Sequence, residues 1–237
     1  YFLQAANLSG VYGLTFWTII VNALAFSAFK KKTPSTFIIW GSFALLPYLY
    51  GAGFLLWQKG IIGNDSQKIS TLCVQTAISP YEKHGFGGNT DKFIPFQEQW
   101  ENYFIQMQPY LNHSYDLIVF PEVTVLGGID YPLYDLQRFE TFLNFLWDED
   151  AKKFFPELKS PYAMRNSQGR WLVSNAFISQ CLANKTQATV FVGLEFRGEG
   201  KESFSGAVAF EPKIGMLKPF YAKQVLVPLG EYIPFSF

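Results

Sequence analysis

Three short stretches carry side chains able to do acid–base or covalent chemistry. Val119-Phe120-Pro121-Glu122 sets a carboxylate directly behind an apolar run at 116–120 (DLIVF). A carboxylate that follows a buried strand emerges at the carboxyl edge of its sheet, where α/β proteins usually open their sites. Partly desolvated there, it can take and return protons as a general base. A glutamate after proline is equally at home as an exposed residue at a helix start, and spacing alone leaves both readings open. In the stretch 221–228 (YAKQVLVP), Lys223 precedes an apolar run. It is either a surface charge beside a strand or an ammonium turned into a cleft to balance a developing oxyanion. Glu231, in Gly230-Glu231-Tyr232-Ile233-Pro234, brings a second carboxylate close behind it.

Other reactive residue types are sparse. Cys73 and Cys181 match no zinc-ligand spacing and are too few for a disulfide framework. Both read as small core residues. His84 and His113 lie far apart and read as loop residues. No glycine-rich phosphate loop occurs, and nothing calls for a metal or nucleotide cofactor. The four Asn-x-Ser/Thr tripeptides, at Asn7, Asn64, Asn112 and Asn184, carry no message in themselves.

The elements that must position these residues divide sharply by composition. The chain has 237 residues, 19 Lys+Arg and 19 Asp+Glu, so the formal net charge is zero and a nucleic-acid footprint is not expected. Charged residues make up 16% and aromatics 19%, a profile that excludes disorder and collagen. Residues 1–58 hold only three charges, Lys30, Lys31 and Lys32. The apolar runs 11–29 and 37–57 on either side are each near the roughly 20 residues needed to cross a hydrocarbon core. Pro47 and the glycines in them are tolerated in membrane helices. Trp40, Tyr48, Tyr50 and Trp57 supply interfacial anchors. Short lysine-rich loops stay on the cytoplasmic side, which sends everything after Trp57 to the opposite face.

From Lys68 onward the pattern is that of a water-soluble unit. Residues 69–77 read as a strand, 97–111 as a helix ending near Gln108 before Pro109, 116–120 as a buried strand and 138–147 as a second helix. Residues 188–196 and 206–210 read as further strands. Alternating strands and helices predict an α/β domain with helices on the faces of its sheet. Asp148-Glu149-Asp150 reads as a solvated turn. Residues 148–187 are the least legible. The stretch 152–165, which mixes basic and aromatic residues, is either an ordinary packed insertion, the favoured reading, or a lid against lipid headgroups.

Taken together, residues 4–13 (QAANLSGVYG) ahead of a span, Phe120-Pro121-Glu122, and residues 221–235 (YAKQVLVPLGEYIPF) resemble the apolipoprotein N-acyltransferase family, the membrane enzymes of bacterial lipoprotein maturation. Phe-Pro-Glu is common. The run Lys-x-x-Leu-Val-Pro-x-Gly-Glu-Tyr-x-Pro is far more specific. The likeness covers nearly the whole chain and is weakest at about 148–187.

The resemblance implies two transmembrane helices (the 1–58 part) followed by a nitrilase-like αββα sandwich, incomplete at its C-terminal side (68–237), on the periplasmic face of the bacterial inner membrane. It implies a Glu–Lys–Cys triad in that order. Glu122 matches the general base, Lys223 the lysine that balances the oxyanion, and Glu231 a further acidic residue near the site. The nucleophilic cysteine follows the lysine in the family and is expected beyond residue 237, so that the chain reads as a fragment lacking both ends and inert alone. The implied partners are a phospholipid acyl donor, a diacylglyceryl-apolipoprotein acceptor and membrane lipids, with no cofactor. The family often places a tryptophan shortly after the segment matching Val74-Gln75; here residues 79–85 (SPYEKHG) have none. Two other readings stay open: a membrane-tethered amidase or nitrilase acting with water, and a non-catalytic module that binds lipid or lipoprotein.

Overall fold

The computed structural model describes residues 1–62, 68–84, 93–197, 203–218 and 220–225. The chain divides into two compact units, Tyr1–Lys68 and Ile69–Phe237.

The first unit is a helical hairpin. A 3-10 turn, Phe2–Ala5, leads into α1 (Ala6–Lys31), and α2 spans Pro34–Ile62. Both helices outrun the apolar stretches that announce them. α1 stops because Lys32 turns left-handed (φ 53°) and donates its N–H to the Ala28 carbonyl. Lys30 and Lys31 sit in the last turn, where a cation meets the negative end of the helix dipole. Pro34 opens α2 at a first-turn position that needs no N–H. The helices pair antiparallel through aromatic contacts: Trp17 stacks on Phe43 at 5.4 Å, Phe29 meets Phe37 edge-on, and Tyr50 Oη donates to Asn7 Oδ1 at 2.9 Å. Both helices are long and apolar enough to cross a membrane, and only 11% of each apolar window is buried. Phe16, Ile19, Phe26, Ile38, Leu45 and Leu49 point outward. A core helix of a water-soluble protein would bury such side chains.

The second unit is a mixed α/β domain. Its main sheet runs β1 (Thr71–Cys73), β2 (Leu117–Val119), β6 (Thr189–Arg197), β7 (Ser203–Glu211) and β8 (Gly215–Met216), with β9 (Tyr221–Ala222) also paired to β7. β1, β2 and β6 are parallel; β7 turns back antiparallel on β6. Period-two alternation sends Ile118, Val190, Val192, Leu194, Val208 and Phe210 into the core. α4 (Phe96–Met107), α5 (Leu136–Trp147) and α6 (Asn175–Thr186) complete that core. In α4 the buried set Trp100, Tyr103, Phe104 and Met107 marks one helical face. A small antiparallel sheet, β3 (Tyr134–Asp135), β5 (Trp171–Val173) and β4 (Ala163–Arg165), lies outside the main one. The short helix α3 (Pro80–His84) follows β1.

Several expectations need correction. The strand expected over 69–77 is ordered as β-structure only at Thr71–Cys73; among the described residues β1 pairs with β2 alone, and Ala77 takes a positive φ of 49°. Cys73, read as core, is exposed on that edge strand; Cys181 is buried, and burial pushes its thiol pKa well up. The 148–150 charge run is a turn whose members are employed. Asp148 ends α5 in a left-handed conformation, Asp150 caps the next 3-10 turn, and Glu149 pairs with Lys185. The stretch 152–165 follows its favoured reading as a packed insertion: Phe155, Leu158, Tyr162 and Ala163 rest in or against the core.

The tie that holds this region is Asn175. Its Oδ1 accepts from Trp100 Nε1 at 2.7 Å and from Tyr134 Oη at 2.6 Å, while its Nδ2 donates to the Gly128 carbonyl at 2.7 Å. One fully buried amide thus joins α4, β3, α6 and the loop behind Glu122. Asn175→Leu leaves an indole N–H and a phenol without partners, at roughly 1–3 kcal/mol for each orphaned group. We expect this variant to lower the urea midpoint of the second unit by more than Phe145→Ala, which removes a side chain 86% exposed; equal midpoints would contradict the tie.

Two phenols in this core set a pH limit. Burial pushes the Tyr103 pKa up from 10.0 to about 12, and Tyr134 is raised still further. Both are neutral in the fold, so their contribution is intact below pH 10 and is lost as pH rises through about 12. Denaturation series at pH 8 and pH 11 should show stability falling in the alkaline arm, with a shallower fall in Tyr103→Phe.

Candidate active site

Glu122 rides on a turn that the sheet builds. β2 ends at Val119, the Phe120 N–H donates to the Phe191 carbonyl at 2.9 Å, and Pro121 prevents the strand from continuing its ladder. The turn then lies across β6 at Gly193. A Cβ there would meet the Pro121 carbonyl oxygen at 2.5 Å and Glu122 Cα at 2.7 Å, so only glycine permits this approach. Val123 follows with φ 47°, a conformation that costs a β-branched residue of order 1–3 kcal/mol. The surroundings hold it there. Thr124 N–H donates to the Gly193 carbonyl at 2.7 Å, and Thr124 Oγ1 donates to the Pro121 carbonyl at 2.9 Å. Tyr103 Oη donates to the Thr124 carbonyl at 3.1 Å.

Lys223 reaches the same place from the far end of the chain. β9 pairs with β7 at Gly206 and Ala207, and the Lys223 N–H donates to the Ser205 carbonyl at 2.8 Å. Its Nζ then donates to Glu122 Oε1 at 2.8 Å, across 101 positions of sequence. Ser205 Oγ donates to the same oxygen at 3.3 Å. The pair borders a cavity of about 460 Å³ whose other walls include Leu117, Val119, Phe191, Ala207 and Tyr221. These are the residues that alternate with the core set, so the cavity lies on the sheet face opposite the helices. A single acid–ammonium pair in an apolar cleft is suited to handle one proton and one developing negative charge beside a hydrophobic substrate.

Glu122 is the more open member of the pair. Its side chain is 57% exposed, against 23% for Lys223. Two hydrogen bonds, from Lys223 Nζ and Ser205 Oγ, hold the carboxylate in place. Glu231 lies outside the described residues. Neither described cysteine borders the cavity, and His113 sits in an exposed turn with Nδ1 3.3 Å from the Tyr110 carbonyl. A slightly larger cavity, about 520 Å³, lies between the 3-10 turn at Ala151–Phe154 and residues near Lys213. Its carboxylate, Glu157, is 73% exposed and paired with neighbouring Lys159, and it lies in none of the stretches that carry the resemblance.

One residue at the site went unread in the sequence. Lys83, at the end of α3, donates from Nζ to the Val123 carbonyl. Partial burial lowers its pKa, and the charge of Glu122 partly offsets that shift. A signal for its placement exists in Ser79-x-x-Glu82. Ser79 N–H donates to Glu82 Oε2 at 2.8 Å and Glu82 N–H to Ser79 Oγ at 3.3 Å, a capping box that starts a helical turn just after β1.

The chain thus joins a helical hairpin long and apolar enough to cross a membrane to an α/β unit with an acid–lysine pair at a cavity on its sheet. It resembles apolipoprotein N-acyltransferases along nearly its whole length. That of Chlamydia trachomatis serovar D is 27% identical over 238 residues, covering 98% of this chain and 38% of the relative. That of Chlamydia pneumoniae is 27% identical over 235 residues with the same coverage, and that of Chlorobaculum tepidum 22% identical over 244 residues. The chain therefore spans less than two-fifths of the length of the curated relatives it matches. No family model matches it. Among solved structures, an N-terminal amidase is similar over 67% of this chain and 28% of its own, at 13% identity and a TM-score of 0.36.

Proposed function

We propose that this chain forms part of an N-acyltransferase that moves an acyl chain from a phospholipid to the N-terminal diacylglyceryl-cysteine of apolipoproteins. The observation that carries the reading is the 2.8 Å contact between Glu122 and Lys223 at an apolar cavity. Those two residues lie in two of the three stretches that carry the resemblance. In this reading the α/β unit works on the periplasmic face of the inner membrane, as the lysine-rich turn between the helices predicts.

The chemistry divides into two half-reactions. A thiol is only a few per cent ionised near neutral pH and needs a base. Glu122 takes the proton of a cysteine supplied by a further segment of the polypeptide. The thiolate attacks the ester carbonyl of the phospholipid, and the Lys223 ammonium balances the tetrahedral oxyanion. The carbon–oxygen bond breaks, Glu122 returns the proton to the departing lysophospholipid oxygen, and a thioester remains. The α-amine of the lipoprotein cysteine then attacks the thioester. Glu122 accepts the amine proton, the carbon–sulfur bond breaks, and the thiol is restored as the amide leaves. Glu231 is assigned, from the resemblance alone, the role of an accessory acid.

The test is transfer of a radiolabelled acyl chain from phospholipid to a diacylglyceryl lipopeptide by the full-length protein, with loss of label from the phospholipid and gain in an amide product. Hydrolysis of an amide or nitrile substrate by water, without acyl transfer, would favour a membrane-tethered amidase or nitrilase. Binding of the lipopeptide without any turnover would favour the lipoprotein-binding module.

A further inference from the structure

The backbone that presents Glu122 is strained, and its carbonyls are taken up one by one. The Pro121 carbonyl accepts from Thr124 Oγ1 at 2.9 Å and the Thr124 carbonyl from Tyr103 Oη at 3.1 Å. The carbonyl between them, that of Val123, belongs to the residue at φ 47° and accepts from Lys83 Nζ. Lys83 comes from a different element, the turn after β1, and that turn is itself fixed. The Ser79–Glu82 capping box closes its start, and the Lys83 N–H donates to the Ser79 carbonyl at 3.0 Å. The Ile94 N–H donates to the Glu82 carbonyl at 2.9 Å. A lysine ammonium held on a backbone oxygen, one residue past the carboxylate, restrains the direction in which that carboxylate points.

We infer that Lys83 is a positioning residue for Glu122: its ammonium clamps the Val123 carbonyl and so holds the left-handed turn that aims the carboxylate at Lys223. This rests on the acyl-transfer reading for its effect on rate, but not for its geometry. Removing the clamp frees the turn to relax toward the ordinary φ of a valine, which carries the carboxylate off its partner. A misplacement of about 1 Å at reacting groups is enough for a loss on the order of a hundredfold. Lys83 itself makes no contact with the reacting atoms in this account.

The experiment has two arms in the full-length protein. In the first, single-turnover acyl transfer is measured for Lys83→Met and Lys83→Arg against phospholipid concentration. Lys83→Met should lower the maximal rate on the order of a hundredfold, with the half-saturating phospholipid concentration unchanged, and Lys83→Arg should restore most of the rate by renewing the donor. The thermal midpoints of the three proteins should agree. An unchanged rate in Lys83→Met, or a loss that Arg does not repair and that tracks a fall in the midpoint, overturns the inference. The second arm reads geometry without activity. Reductive methylation with ¹³C-formaldehyde makes each lysine visible by NMR. Lys83 should titrate below the surface lysines, and Glu122→Gln should move it lower still, because the charge that partly offsets its desolvation is then gone. Among the described residues, the charge that acts on it is that of Glu122, from the turn after β2, which is itself paired with Lys223; the Glu82 carboxylate on its own helix is engaged at the Ser79 N–H. A Lys83 resonance indifferent to Glu122→Gln sinks the clamp. If that coupling is present but the wild-type protein transfers no acyl chain, the acyl-transfer reading falls and the clamp stands.

Discussion

Glu122→Gln in the full-length protein stops acyl-enzyme formation, with a single-turnover rate lower by about 10²–10⁴, the range that a general base contributes. The substitution is narrow. A glutamine oxygen still accepts from Lys223 and Ser205, the turn over Gly193 is untouched, and only the proton acceptor disappears. The pair it interrupts is more than half exposed on the carboxylate side, and an exposed ion pair contributes roughly 0–1 kcal/mol to stability. Folding and rate therefore separate cleanly, since stability barely moves while the rate collapses. A thiol also ionises without help as pH approaches its ordinary pKa of about 8.5, so the deficit of the variant should shrink from pH 7 to pH 9. Mass spectrometry of the intact protein after exposure to phospholipid measures the acylated fraction. A wild-type level of acylation removes Glu122 from the role of base.

Lys223→Met is the second large effect. Methionine keeps an unbranched side chain of comparable reach, while the backbone bond of this residue to Ser205 is unaffected. What is lost is the positive charge beside the developing oxyanion, and loss of one such donor costs about 10²–10³ in rate. The loss should fall on the maximal rate and leave the phospholipid concentration at half-saturation alone, because the charge matters most where the oxyanion forms. Lys223→Arg should recover only part of it. A planar guanidinium carries the charge on a wider fork that does not reproduce the position of a compact ammonium. An unchanged maximal rate in Lys223→Met excludes the oxyanion role.

Much of this architecture can be read from residues alone. The two spans announce themselves because nineteen or more consecutive uncharged residues have few other uses, and the helices extend past them on polar residues whose caps are local. The α4 and α5 faces follow from apolar spacing of three and four. α6 is invisible to the same method because it is buried on every side. Its Ala176, Ser179, Cys181 and Ala183 are small rather than periodically apolar, and its anchor, Asn175, is polar. The strand at Thr71–Cys73 is shorter than its composition implies because composition does not register how many neighbours a strand has.

At the site, Glu122 and Lys223 are legible as motifs, but no local pattern states that they touch. That contact depends on β9 pairing with β7 while β2 pairs with β6, a long-range arrangement. Lys83 was masked by its surroundings, since a lysine in a polar stretch after a strand resembles any solvated charge. Only the turn across Gly193, which presents the Val123 carbonyl, gives that lysine something to hold.

The central claim is that Glu122 and Lys223 act on one reacting carbonyl in one step. The most direct test is the single-turnover rate of thioester formation in Glu122→Gln, Lys223→Met and the double variant, in the full-length protein and with a fluorescent phospholipid. Residues that work as a unit are strongly non-additive, so the double variant should be no more than a few-fold slower than the slower single variant. Losses that multiply in the double variant would mean that the two side chains serve separate events, and would contradict the account.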